Sequence, residues 1–229
     1  MNPAETPDPM REGEPAVRRG RFLVFEGIDG SGKTTQLEAM ATWLPGSGLM
    51  PPECGLHLTR EPGGTHLGRR LRQLLLDPSA EAAPGSTFEL LLYAADRAQH
   101  VEQCIRPALN RGDWVLCDRF SGSTAAYQGY GRGLSLELIA QLERIATAGL
   151  RADLTLWFDL PLQESLRRRD HRDPDRIEAS GVAFLERVIQ GFAAMAAQRG
   201  WHRIEASQPP EAVAEACRRL FISQLGGVP

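Results

Sequence analysis

The chain has 229 residues, 42% of them apolar, with a formal net charge of -3 and a pI near 6.0. That length fits one large α/β domain, and also two small ones, with apolar content for a full core. The mild acidity argues against a protein that wraps nucleic acid, and no stretch approaches the roughly 20 apolar residues of a membrane-spanning helix.

Residues 1–20 carry Pro3, Pro7, Pro9 and Pro15 among acids and arginines, without an apolar run of signal-peptide length, and are expected to form a disordered extension. A first strand is expected over residues 21–26, and a helix from Thr34. Between them lies Gly27-Ile28-Asp29-Gly30-Ser31-Gly32-Lys33-Thr34, which has the spacing of a phosphate-binding loop. Its glycines let the backbone turn tightly and aim N–H groups inward, while the helix start adds its positive dipole end. Lys33 then reaches the β- and γ-phosphates of a nucleoside triphosphate, and Thr34 offers its hydroxyl to a Mg²⁺ ion bridging them. Lys33 is the only lysine among 26 basic residues. An arginine-rich chain has kept a compact ammonium where a broad planar fork would not fit.

Residues 43–48 break the helix, and residues 55–59 read as a second strand that completes a βαβ unit. Thr59-Arg60-Glu61-Pro62-Gly63-Gly64-Thr65 follows at that strand's carboxyl end, the edge where ligands sit in open α/β sheets. Leu67, Leu71 and Leu74 mark the next helix. A longer one runs from Thr87 to about Asn110, with Phe88, Leu91, Leu92, Ala95, Val101 and Ile105 on one face and Pro107 bending or ending it. Residues 113–118 form the third strand, followed by a glycine-rich loop over 122–133. Leu136, Ile139, Leu142 and Ile145 outline a helix, and residues 153–159 form the fourth strand. An arginine-rich segment over 167–176 interrupts two helical stretches, the second carrying Phe184, Val188, Phe192 and Met195. A fifth strand over 202–206 precedes a last helix from about Pro210. Strands alternating with helices imply a single domain over 21–225 with a five-stranded, mostly parallel sheet flanked by helices on both faces. Cys54, Cys104, Cys117 and Cys217 contain no Cys-x-x-Cys pair, so reduced thiols in a cytoplasmic protein are expected.

Three constellations carry chemistry beyond the loop. Asp118 and Arg119 close the third strand, which places Asp118 near a Mg²⁺ shell and Arg119 as a clamp on a phosphoryl group. Arg167, Arg168, Arg169, Arg172 and Arg176 suit a small lid over about 167–178 that neutralises the transferring phosphoryl group, with Arg169 and Arg172 the candidates for catalysis. Tyr93 and Arg97 share a helix face, so an aromatic plane and a five-donor fork meet one planar ligand.

Taken together, these residues resemble thymidylate kinase, with the match running from about Arg21 to Phe221. The resemblance rests on the phosphate loop, the Thr59–Thr65 segment, Tyr93-Ala94-Ala95-Asp96-Arg97, Asp118-Arg119-Phe120, Ser123-Thr124-Ala125-Ala126-Tyr127-Gln128-Gly129 and Asp175-Arg176-Ile177-Glu178. It implies a phosphate-loop kinase that uses ATP, held by residues 27–35 (Gly27, Ile28, Asp29, Gly30, Ser31, Gly32, Lys33, Thr34 and Thr35), to phosphorylate dTMP. By resemblance, Asp29 lies near the 3′-hydroxyl of dTMP, Tyr93 stacks on thymine, Arg97 bonds the base, Arg119 touches phosphate and Pro62 walls the pocket. Ser123, Thr124, Tyr127 and Gln128 read the base edge and exclude a ribose 2′-hydroxyl. Lys33, Arg119, Asp29, Arg172 and Arg169 then form the catalytic set, and Thr34 and Asp118 the Mg²⁺ ligands.

Two departures stand out. Tyr93 replaces the more common Phe, and Gly30 stands where some family members place a catalytic arginine, which agrees with an arginine-rich lid. The resemblance also implies a homodimer packed through long helices, with the apolar face of residues 88–105 as its candidate surface. A deoxynucleoside kinase, with Glu26 as base, is the rival enzyme. A GTP-binding switch is excluded, because its Asn-Lys-x-Asp needs a second lysine.

Overall fold

The computed structural model describes residues 19–77, 84–169 and 175–226. Much of the expected N-terminal extension and the middle of the expected lid, including Arg172, lie outside the described residues. The five strands are β1 (Phe22–Gly27), β2 (Leu56–Arg60), β3 (Trp114–Asp118), β4 (Leu154–Asp159) and β5 (His202–Glu205). They pair in the order β2-β3-β1-β4-β5, all parallel, so β1 is the central strand. The nine α-helices are α1 (Lys33–Trp43), α2 (His66–Leu76), α3 (Ser86–His100), α4 (Arg106–Asn110), α5 (Ser121–Thr124), α6 (Leu136–Thr147), α7 (Leu162–Arg169), α8 (Val182–Arg199) and α9 (Pro210–Leu225), counted among the described residues.

Strand alternation divides the core. Phe22 and Val24 of β1 join Val115 and Cys117 of β3 in a cluster with Val101, Ile105 and Leu109, which come from the end of the long helical stretch. Leu23 and Phe25 of β1 face the other way, with Leu116 and Leu156, into a cluster holding Leu37 and Met40 of α1 and Val213 and Phe221 of α9. Phe25 stacks on Phe158 at 5.6 Å between ring centroids, a geometry that adds to area burial. α3 continues into α4 through a π turn over Val101–Ile105, so Pro107 falls near the start of α4, where its missing N–H does no harm.

Two expectations are corrected. The glycine-rich stretch 122–133 is not a loop: α5 runs into a π-helical turn over Ala125–Gly131. Its glycines serve close approach, since a Cβ at Gly129 would lie 2.5 Å from Leu136 and one at Gly131 2.6 Å from Phe184. Nor do the apolar residues of the long helical stretch share one environment, since Val101 and Ile105 lie in the core while Phe88 and Leu91 do not. Leu67 and Leu74 are about half exposed, and so are Phe88 and Leu91 of α3, while Gly68 and Leu75 of α2 and Leu90 of α3 are buried. No described helix is long and apolar enough to cross a membrane.

Candidate active site

The phosphate loop leaves β1 at Gly27 and enters α1 at Lys33. Gly32 caps α1 at φ +83°, a left-handed backbone that a side chain resists. Lys33 is buried at 5% exposure and folds back onto the loop, its Nζ donating to Ile28 O at 2.9 Å and Ser31 Oγ at 3.4 Å. Burial lowers its pKa to about 8, with Arg119 pushing the same way and Asp118, Asp29 and Glu26 opposing. The loop thus holds an ammonium short of counter-charge, which the phosphates of a nucleotide supply.

Thr34 and Asp118 meet at the carboxyl edge of the sheet, where Thr34 Oγ1 donates to Asp118 Oδ2 at 2.6 Å. The other carboxylate oxygen, Asp118 Oδ1, is buried without a hydrogen-bond partner. A buried acceptor with nothing to accept, beside a hydroxyl and a phosphate loop, fits Mg²⁺, which takes oxygen ligands from one or two side chains and completes its shell with phosphate and water.

Beside the loop opens a cleft lined by Asp29, Pro62, Tyr93, Arg97, Arg119, Ser123, Thr124, Tyr127 and Gln128, among others. Every residue expected to hold dTMP is therefore brought to one cavity. Arg119 spans the end nearest the loop: Nη2 donates to Asp29 Oδ1 at 2.6 Å, and Nη1 to Gly27 O at 2.9 Å and Ser123 Oγ at 3.1 Å. Its backbone stands at φ +70°, which costs roughly 1–2 kcal/mol for a side chain with a Cβ. The bond from Arg119 N to Phe25 O, at 2.9 Å, and the guanidinium contacts hold it there. Tyr127 donates to Asp29 Oδ2 at 2.7 Å. Burial alone would raise the Asp29 pKa, but Arg119, Lys33 and Tyr127 override it and hold the carboxyl well below the usual range.

At the far end, Arg97 is locked by Glu61, with Nε to Oε2 at 2.8 Å, and by Thr124 Oγ1 at 2.9 Å from Nη2. His100 supports Glu61 from behind, its Nδ1 lying 2.9 Å from Oε1. Tyr93 lines the same cleft. Burial, with Glu89 and Asp175 nearby, pushes its phenol above the ordinary value of 10.0, so it stays neutral. Glu26, the base required by a deoxynucleoside kinase, is 1% exposed and already takes three hydrogen bonds: from Phe120 N at 3.0 Å, Ser123 N at 3.1 Å and Ser123 Oγ at 2.6 Å. It anchors the cleft wall instead.

Sequence reasoning missed Arg72, which also lines the cleft and donates from Nη1 to Pro62 O at 3.1 Å. Burial lowers its pKa and the arginines at 60 and 119 push the same way, against Tyr93 and Asp175. A signal was present: Gly68, Arg72 and Leu75 share the inner face of α2, opposite the leucines that drew attention. Also missed was a second groove against the loop, bounded by Gly32, Gln36, Arg167, Arg168, Gln208 and Pro209 among others.

Of the lid arginines, Arg169 is buried at 8% exposure at the end of α7, its Nε donating to Ser165 O at 3.2 Å. Arg167 and Arg168 bond Glu164, whose pKa falls to about 2 as a result. Arg176 bonds Glu89 at 2.6 Å and Leu75 O at 2.9 Å, so it ties the segment down rather than facing the loop. α7 is itself clasped to the loop: Ser165 Oγ donates to Asp29 O at 2.7 Å, and Arg168 Nη1 to Gly30 O at 3.3 Å. A Cβ on Gly30 would lie 3.2 Å from Ser165 O, at a backbone φ of +78°.

A phosphate loop at the end of the central parallel strand, with an arginine-lined cleft and a second groove beside it, defines a phosphate-loop kinase. The thymidylate kinase family model matches residues 25–217. The chain is 65% identical over 207 residues to the thymidylate kinase of Parasynechococcus marenigrum (strain WH8102), covering 90% of this chain and 99% of that protein. It is 66% identical over 197 residues to that of Prochlorococcus marinus (strain MIT 9313), covering 86% and 91%. A crystal structure of thymidylate kinase from Ehrlichia chaffeensis superposes with a TM-score of 0.71 at 32% identity, covering 89% of this chain and 99% of that one. The chain belongs to the thymidylate kinase family.

Proposed function

We propose that the protein transfers the γ-phosphoryl group of ATP to dTMP, giving dTDP for dTTP synthesis, and that the nine residues expected to hold dTMP do so. The observation that carries this is their convergence on one cleft beside the phosphate loop. The monophosphate lies at the loop end, between Arg119 and Arg72. The base lies at the far end against Tyr93 and Arg97, and Asp29 and Tyr127 take the sugar between them. ATP binds through residues 27–35, with its nucleoside in the groove beside α7.

The acceptor is a phosphate, already ionised near neutral pH, so no general base is required and catalysis is positioning and charge neutralisation. Lys33 leaves Ile28 O for the β- and γ-phosphates. Arg119 orients the attacking oxygen, and Arg169 or Arg172 brings positive charge to the transferring group from the α7 side. Thr34 and Asp118 would hold Mg²⁺, which when bound neutralises phosphate charge.

The half-exposed Phe88 and Leu91 of α3, from the expected 88–105 surface, with Leu67 and Leu74 of α2, support a homodimer through those helices. Four cysteines without a Cys-x-x-Cys pair support a cytoplasmic enzyme. A coupled ATP assay across dTMP, dUMP, UMP, CMP and thymidine tests the reading. dTMP is expected to be the best acceptor; turnover of thymidine without turnover of dTMP would overturn it in favour of a deoxynucleoside kinase.

A further inference from the structure

Glu89 opens the first turn of α3, one turn before Tyr93 on the same face. It is fully buried and makes contacts that no catalytic step uses. Its Oε1 accepts from Gln128 Nε2 at 2.7 Å, and its Oε2 takes Arg176 Nη2 at 2.6 Å and Arg132 Nη2 at 3.5 Å. Gln128, 1% exposed, lines the base end of the cleft.

A carboxamide presents a donor on one side and an acceptor on the other, and left alone it can turn either way. A carboxylate paired to arginines only accepts, so the nitrogen of Gln128 must be the atom turned to Glu89 and the oxygen the one left for the cleft. Thymine offers N3–H and the O4 acceptor, whereas cytosine offers a bare N3 and an N4 amino donor. An acceptor fixed at Gln128 beside a donor-only guanidinium at Arg97 matches thymine and opposes cytosine.

We infer that Glu89 is a specificity-determining positioning residue: it locks the Gln128 carboxamide so that its oxygen faces the base, admitting pyrimidines with N3–H and rejecting cytosine. This rests on the reading that the base of dTMP occupies the Tyr93 end of the cleft. Arg176 and Arg132 hold the lock by neutralising it.

The test compares kcat/KM for dTMP and dCMP in the full chain. Glu89→Gln replaces the obligate acceptor by a second carboxamide that faces either way. The dTMP-to-dCMP ratio is expected to fall about 10- to 100-fold, the scale of one misdirected buried hydrogen bond. Gln128→Leu should lower the ratio similarly, and adding Glu89→Gln to it should change the ratio no further. Because Glu89→Gln leaves Arg176 facing a neutral group, Glu89→Gln/Arg176→Gln, which removes both charges, is measured beside it with the same expectation. The inference is overturned if dTMP and dCMP lose turnover by a common factor with the ratio intact, or if Glu89→Gln shifts the ratio equally with and without Gln128. Failure of the wild-type chain to phosphorylate dTMP would instead overturn the proposed function, and the wild-type arm shows it separately.

Discussion

Arg119 and Asp29 form a 2.6 Å ion pair that joins the carboxyl end of β3 to the phosphate loop, so the acceptor cleft and the donor loop share a charge contact in the free protein. The pair gives Asp29 a structural weight apart from any contact with a sugar. A carboxyl whose folded pKa is depressed adds stability above its unfolded pKa and loses it as pH falls through the folded one. Asp29→Asn is therefore expected to lower the melting temperature by a constant amount from pH 8 to pH 5. The gap from wild type should narrow only below the ordinary carboxylate value of 3.8. Parallel thermal melts across that range check it, and a gap that closes by pH 6 would assign the loss to another group.

Lys33 has the opposite sign. Its folded pKa of about 8 lies below the ordinary 10.5, so charged Lys33 costs the folded state stability at neutral pH, and the cost fades as pH rises from 8 to 10.5. Lys33→Met should melt several degrees higher than wild type at pH 7 without nucleotide, with the gain shrinking toward pH 10. Turnover should drop by about 10³-fold or more, the scale for removing one pre-organised charge at a phosphoryl group. Near-normal turnover in a folded variant would remove Lys33 from the mechanism.

Asp118→Asn keeps the shape beside Thr34 but removes the charge behind the unpartnered Oδ1. The Mg²⁺ concentration for half-maximal activity should rise at least about tenfold, with partial recovery at high Mg²⁺. An unchanged requirement would mean that other atoms hold the ion.

Arg72 tests the acceptor end alone. Arg72→Gln should lower kcat/KM for dTMP by about 10²-fold while the KM for ATP moves less than about twofold, since the loss is one charged contact to the acceptor phosphate. Equal damage to both substrates would place Arg72 in general folding.

The apolar face of α2 and α3 makes a hydrodynamic prediction. Leu91→Glu, at a position half exposed in the single chain, should shift sedimentation from dimer to monomer without lowering the monomer's melting temperature. An unchanged sedimentation coefficient would exclude that face.

The five strands, their parallel order and the phosphate loop were readable because buried parallel strands form short apolar runs and the loop's chemistry allows few residue types. What misled was the assumption that glycines mean turns and that one apolar face runs from residue 88 to 105. Gly129 and Gly131 admit Leu136 and Phe184 into a π-helical turn, and Phe88 and Leu91 lie outside. The nine residues expected to hold dTMP came by resemblance, and all of them line the one cleft. Glu89 and Arg72 escaped because a lone charged residue on a helix looks solvated until tertiary packing buries it, and no spacing rule marks it.

Glu26 sits one residue before the loop, yet its carboxylate takes the backbone N–H groups of Phe120 and Ser123 at the head of α5. A single side chain of the central strand thereby ties the loop to the wall opposite. The spacing between the loop and that wall is held from the central strand, independently of α7. For a compound joining both nucleotides, the best number of linking atoms should consequently hold steady across variants of residues 162–169, and change only when the Glu26 anchor is cut.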